Sequence, residues 1–476
     1  ANMLNDWDLP LQDGTVDPAT IAPIARLLGV GQIVHRADLQ YERFRTPRPR
    51  WLSSVLDGAP GLGEPVTFGA ARANDPNPLL PLDDAIEYGQ PASDRDPAPV
   101  SVFPVDDPRP MLRTVQASAP VLMAGNGAGI VGLARSGGLQ VDRPLFYSAS
   151  FTTDTNGTND SDTSKSDSET DRIGGIAAEP GASLVVTDTN RRQARRWGSV
   201  RENDGYTEMA GETPLVKDPA DNRLDVFPGA ADDAYTVTEQ VGGAVARASS
   251  YGNPVSYTAS GRAVRAVDGD PTTAWQVGAF EGVDGEFLQL TFPEPVTTDR
   301  ITLLQAQKPA NRWITSVELS FDRSERAVDD PDAGAPLGGA SRPVALGEAS
   351  RQAPGQEIRF PTRTFRTLRI TITGTNLGDL PRWTGVSDVG IAEIAVPGVA
   401  PTTEVVRPPT DLLDALGARS TARPLSYVFQ RRAADPAEVV LDDEERRMQR
   451  WVEGPTPRSF LPFGTARISG RIPGER

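Results

Sequence analysis

The stretch AVARASSYGNPVSYTASGRAVRAVDGDPTTAWQVG, residues 244–278, decides how most of this chain is read. After it come EFLQLTF (286–292), DRITLLQAQ (299–307), ITSVELSFD (314–322), QEIRF (356–360), FRTLRITIT (365–373) and VGIAEIAV (389–396). These runs are short, rich in β-branched residues and partly alternating, and turn residues separate them, which is the pattern of half-buried strands. The spacing predicts an all-β sandwich over residues 241–398, two sheets closing over one apolar core.

The sequence on either side is of another kind. In TVDPATIAPIARLLGVGQIVHRADL, residues 15–39, Asp17 reads as an N-cap, Pro18 falls in the first turn, and Ile21, Ile24, Leu27 and Leu28 recur at helical spacing. Gly29 ends that helix and QIVHRADL continues as a strand. PVLMAGNGAGIVGLARSGGL, residues 120–139, predicts strand, tight turn and short helix. Residues 1–240 therefore read as an α/β or α+β region, interrupted at 152–171 by a Ser/Thr/Asp/Asn tract too polar to repay its own ordering. Beyond 398, PTTEVVRPPT reads as a linker. ARPLSYVFQRR and SFLPFGTARISG then read as a β-rich module over 399–476 that either continues past Arg476 or packs against what precedes it. The fold class expected is mainly β, with an α/β N-terminal part.

Composition narrows the function. With 48 basic against 64 acidic side chains and a formal charge of -16, the chain is a poor partner for nucleic acid, whose phosphates are gripped by Lys and Arg. Cys is absent, which removes disulfides, thiolate metal sites and Cys nucleophiles together. His35 is the one histidine, so neither a two-histidine metal site nor a histidine-based triad can be written, and a structural role is expected for it. The turn GNGAG, Gly125 to Gly129, lacks the Walker lysine and the dinucleotide spacing and reads as a tight turn. Arg191, Arg192, Arg195 and Arg196 ahead of Trp197 leave two readings open: a clamp for an acidic or sugar ligand, or pairing with the surrounding carboxylates. Trp313 beside Asn311 and Arg312, and Trp383 beside Arg382, sit in polar loops. Each offers the flat apolar platform with fan-like donors that a sugar surface requires, and these five are the candidate glycan-binding residues.

Ala248-Ser249-Ser250, Ala266 to Trp275 (AVDGDPTTAW), Glu286 to Leu290 (EFLQL) and Ile391 to Ile394 (IAEI) together resemble the discoidin or coagulation factor 5/8 type C domain, close to galactose-binding-like carbohydrate-binding modules. The loop 322–339 departs most from that pattern, having no clean SxDG turn. The resemblance implies a galactose-binding-like jelly roll, a core role for Trp275, and a structural calcium held by Asp268, Asp270, Thr273 and Glu393. Carboxylate, hydroxyl and backbone oxygens in a Gly-relieved turn suit a hard cation in any case. Further blocks, 27–49, 121–139 and above all TDTNRRQARRWG (187–198), look like the soluble extracytoplasmic part of actinobacterial alpha-(1->3)-arabinofuranosyltransferases. That resemblance implies a non-catalytic portion at the extracytoplasmic face of the cell membrane. Its partners would be arabinan or another cell-wall glycan and the membrane-embedded catalytic domain of the same polypeptide, which would be a pentosyltransferase. A protein-interaction module without glycan binding and a soluble glycosidase acting on arabinan remain the alternatives.

Overall fold

The computed structural model describes residues 2–13, 16–41, 48–71, 96–152, 172–192, 207–211, 226–252, 261–278, 280, 282–306, 311–322, 341–381, 386–429, 448–451 and 468–471. The acidic tract 152–171 lies almost wholly outside them, as do Arg195, Arg196, Trp197, Arg382 and Trp383.

The predicted sandwich is present. Its strands hydrogen-bond antiparallel in the order Ser341–Ala345, Ile314–Asp322, Gln356–Thr375, Phe287–Gln305, Val389–Ala395 and Trp275–Val277, with Val245–Ala248 added on Phe287–Gln305. Two strands are long, and they pair with each other from Phe287 opposite Thr371 to Leu303 opposite Gln356, broken by register shifts at Thr291/Val296 and Thr298/Arg300. An irregularity in a ladder bends the strand and increases its twist, which lets one continuous sheet fold over and bury both halves in a single core. Leu288 and Leu290 from one half, Ile301 and Leu303 from the other, and Leu368, Ile370 and Ile372 all lie in that core at 0% exposure. Trp275 sits there too, fully buried, its indole N–H donating to the Ser250 carbonyl at 2.9 Å. Deep burial of the ring with its one polar atom satisfied is the core role expected for it.

The N-terminal part is α/β. Asp17 caps the 3-10 turn Pro18–Thr20 that leads into helix Ile21–Leu27, and Gln32–Arg36 follows as a strand of a small antiparallel sheet with Val100–Pro104 and Val66–Phe68. A second sheet is parallel throughout, in the order Leu425–Val428, Ser183–Thr187, Val121–Ala124, Leu145–Tyr147. Helix Gly127–Arg135 crosses between two of its strands. The tight turn is closed by the chain's own atoms. Asn126 caps the helix by accepting from the Ala128 amide, a Cβ at Gly125 would come 2.0 Å from the Thr187 hydroxyl, and one at Gly127 would meet the Met3 backbone at 3.0 Å.

Of the two arrangements expected beyond residue 398, residues 411–428 adopt the second, packing against what precedes them. Strand Leu425–Val428 pairs parallel with Ser183–Thr187, and Leu412, Leu413, Leu416 and Tyr427 share a core with Leu122, Ile173 and Leu184. Residues 411–428 thus complete the α/β module, because an open parallel sheet with one face uncovered buries more apolar surface by recruiting them than they could bury alone. The sandwich is an insertion in that module. Its two chain crossings run side by side, Val237–Val241 antiparallel to Thr403–Arg407, with Met448–Trp451 and Ile468–Arg471 adding parallel neighbours beyond. Among the described residues, no helix is long and apolar enough to cross a membrane.

Candidate functional site

Both candidate sites flank the short strand Trp275–Val277, one at each end. Before it runs the turn Asp268 to Thr273. The Thr273 hydroxyl stands within hydrogen-bond distance of four oxygens: both carboxylate oxygens of Asp268 (3.1 and 2.9 Å), the Asp270 carbonyl (3.1 Å) and the Arg265 carbonyl (3.3 Å). A hydroxyl carries one proton, so it can satisfy one of them at a time. Glu393 reaches the same turn from strand Val389–Ala395, its carboxylate accepting the Gly269 amide at 3.1 Å. Burial, then the neighbouring Asp268 carboxylate, push Glu393 up to about 7; the Gly269 amide opposes them and Asp270 adds a smaller rise. Arg265 supplies one compensating charge, 3.3 Å from Asp268.

Oxygen crowding of this kind, with a carboxylate that gives up its proton reluctantly, suits a calcium-sized cation. The chemistry of the donors differs in one respect from the expected set. The Asp270 carboxylate accepts the Thr272 amide and hydroxyl, at 3.0 and 2.6 Å, so it is the Asp270 carbonyl that faces Thr273. Among the described residues no three His, Cys, Asp or Glu side chains gather as a metal cluster. A cation at this turn would therefore rest on backbone carbonyls and a hydroxyl as much as on Asp268 and Glu393.

At the other end of the strand, three loops meet. Arg312 was expected to reach out to ligand; instead it is 2% exposed and donates its guanidinium to the Gly278 carbonyl. Its amide donates to the Ser387 hydroxyl at 3.2 Å. The Asn311 side-chain oxygen accepts the Ser387 amide at 3.0 Å. Both residues brace loops, because buried backbone polar groups must find partners and the polar side chains nearest in the chain supply them. Asn376, 3% exposed, bridges from behind, accepting the Trp313 amide at 2.8 Å and donating to the Asn311 carbonyl at 3.2 Å. Trp313 is half-buried, with the Arg351 guanidinium 4.3 Å from its ring centroid, so one face of the platform is already taken by a cation. Nothing in the sequence flagged Asn376 or Arg351, which lie 63 and 38 residues from Trp313 and meet it only in the folded chain. Gly278 is needed where it stands: at φ +77, a Cβ would come 2.0 Å from the Val283 side chain.

Of the remaining candidates, Arg192 and His35 lie among the described residues and meet other parts of the fold. Arg192 pairs with Asp232 at 2.6 Å and approaches Glu208, which is 3% exposed, favouring carboxylate pairing for this member of the arginine cluster. His35 is 5% exposed on its strand, and burial lowers its pKa.

Fold and sites together define a mainly β chain in which a jelly-roll-like β-sandwich is carried on an α/β module. A model of the alpha-(1->3)-arabinofuranosyltransferase N-terminal GT-C domain matches residues 2–221. The alpha-(1->3)-arabinofuranosyltransferase of Mycobacterium tuberculosis is 24% identical over 383 residues, covering 78% of this chain and 23% of that protein. That of Mycolicibacterium smegmatis is 24% identical over 419 residues, covering 83% and 26%. The cryo-EM structure of the arabinofuranosyltransferase AftD from Mycobacteria superposes with a TM-score of 0.50 at 16% identity, over 86% of this chain and 28% of that one. The chain is thus distantly related to the AftD arabinofuranosyltransferase family and spans about a quarter of the length of the curated relatives it matches.

Proposed function

We propose that this chain is the non-catalytic glycan-recognition and scaffolding portion of a membrane arabinofuranosyltransferase acting in cell-wall arabinan synthesis. The observation that carries the reading is that the likeness to arabinofuranosyltransferases runs across 78% of the chain or more, and so takes in the inserted sandwich as well as the α/β module. In this reading the sandwich holds acceptor arabinan at its loop end. The α/β module faces the membrane-embedded catalytic domain of the same polypeptide, on the extracytoplasmic side. A net charge of -16 suits a neutral glycan better than a polyanion.

Calcium would be held by Asp268, Thr273, Glu393 and the carbonyls of Arg265 and Asp270. Its contribution is to neutralise the crowded oxygens and tie the turn to strand Val389–Ala395. The ion has no part at the loop end, which lies across the strand from it. Calorimetric titration of the intact chain with arabinan and galactan oligosaccharides tests the reading. Saturable arabinan binding in roughly the millimolar range is expected, since a shallow site leaves little surplus over the cost of association; a folded, calcium-supplied chain that binds neither glycan would refute it.

A further inference from the structure

Among the described residues of the sandwich, Phe280 is the large apolar side chain that projects furthest clear of the surface. It is 70% exposed; among the described residues 241–398 the other large exposed apolar side chains are Val241, at 42%, and Leu377, at 41%, next to the bracing Asn376. Its backbone is also unusual, at φ +68, a left-handed conformation that costs an aromatic residue and that glycine or asparagine adopts with ease. Two penalties thus fall on one residue, exposure of a ring and a strained backbone, and the fold gains little packing from the side chain in return. Strain of this kind persists only where the surroundings enforce it, and here they do. The Phe280 amide donates to the Val386 carbonyl at 3.0 Å. Gly278, two residues earlier, is gripped by buried Arg312, and the neighbouring Ser387 is held by Asn311 and Arg312.

We infer that Phe280 is the aromatic platform on which a sugar ring of the bound glycan stacks, with Asn311, Arg312 and Ser387 acting as positioning residues beneath it. The inference rests on the glycan-recognition reading and deepens it. It moves the platform from Trp313, where Arg351 occupies one face, to a ring that stands free of the loop frame. A flat ring among polar loops matches the alternating C–H face and hydroxyl rim of a neutral furanose or pyranose. A lipid surface would instead call for a broad apolar patch.

The test is arabinan titration of the intact chain as wild type, Phe280→Gly, Phe280→Asn and Phe280→Trp, with thermal unfolding of each. Glycine and asparagine are both at home at positive φ, so both variants should fold, with Tm unchanged or raised by about 2 °C. Both should bind arabinan at least about tenfold more weakly, as expected when a central aromatic anchor is removed, and Phe280→Trp should bind at least as well as wild type. Undiminished binding by the glycine and asparagine variants would overturn the inference and leave the glycan reading standing. Absence of binding by the wild type would bring down both. A parallel arm with phosphatidylglycerol vesicles covers the competing occupant: vesicle binding by the wild type that is lost in Phe280→Asn would assign the ring to lipid and overturn the inference.

Discussion

Arg312 and Glu393 are both charged side chains taken out of water, and they differ in how the cost is met. Arg312 is 2% exposed and gives its guanidinium to a backbone carbonyl, so its burial serves geometry: it fixes the loop that begins at Gly278. Replacing it by Lys keeps the charge but loses the planar fork. Arg312→Lys should lose about 1–3 kcal/mol of stability in urea unfolding, the cost of leaving a buried polar group poorly satisfied. Glu393 sits beside Asp268 with its pKa raised to about 7, so at neutral pH and above its charge is a burden unless a cation shares it. Glu393→Gln should keep the Gly269 contact, leave the calcium-free chain as stable as wild type or more so, and abolish the rise in Tm that the proposed calcium site predicts for the wild type. That rise corresponds to about 2.7 kcal/mol at a hundredfold excess of calcium over its Kd. An equal calcium response in both proteins would exclude Glu393 from the site. The acidic turn was legible locally, but what joined Glu393 to it was the resemblance to the discoidin-type domain, since no local pattern ties a turn to a strand so far along the chain. The sequence did not show that Arg312 points inward: the polar neighbours that made it look like a ligand donor are the ones that brace it, and only the three-loop packing distinguishes the two.

At the scale of elements, the informative segment is the short helix Asp411–Leu416, where the chain re-enters the α/β module. Asp411 is 4% exposed; the Ser148 hydroxyl and the Leu412 amide favour its charged form, yet burial outweighs them and, with smaller contributions from Asp233 and Asp414, pushes it up to about 7. Asp233, whose carbonyl accepts the Thr410 amide at 2.8 Å, is raised as well, first by burial and then by Asp414, with Arg407 opposing. For a carboxyl raised in the folded state, the fold holds a proton that the unfolded chain releases near pH 4. This contribution is therefore complete below about pH 4 and is lost as pH rises to about 7. Asp411→Asn, which cannot ionise, should flatten that part of the profile and exceed wild-type stability above pH 7 by an amount on the order of a few kcal/mol. Matching stability profiles from pH 4 to 8 for the two proteins would show that Asp411 is not the responsible group. The helix was hard to see in the sequence because Asp411 to Leu416 is short and its core lies in residues 122–186, far away along the chain.

For the whole molecule, the architecture is an α/β module interrupted by a sandwich, and it predicts how pieces will behave. Residues 241–398 should fold alone, since their core is drawn from residues within 244–396. Truncation of the full chain at 398 should spare the sandwich yet unfold the α/β module, because Leu412, Leu413, Leu416 and Tyr427 leave its core. Near-UV circular dichroism and hydrogen exchange would separate the two outcomes, and a protected α/β module in the truncated chain would contradict the insertion topology. The sandwich was readable from periodicity since each of its strands carries its own β-branched or alternating pattern, even where its partner is distant, as Phe287 is from Thr371 and Trp275 from Ile391. The insertion was not, since closing the parallel sheet needs Leu425 beside Leu184, a contact across the entire sandwich that no local pattern encodes. The claim that joins these levels is that glycan meets the molecule at the loop end of the sandwich and not at the cation turn. Backbone amide NMR of the isotopically labelled 241–398 fragment, titrated with arabinan oligosaccharides, tests it most directly. Shifts concentrated at Gly278–Val283, Asn311–Trp313 and Val386–Ser387, with Asp268–Thr273 unmoved, are the predicted result; shifts confined to the acidic turn or to the strand faces, with the loop end silent, would contradict the account.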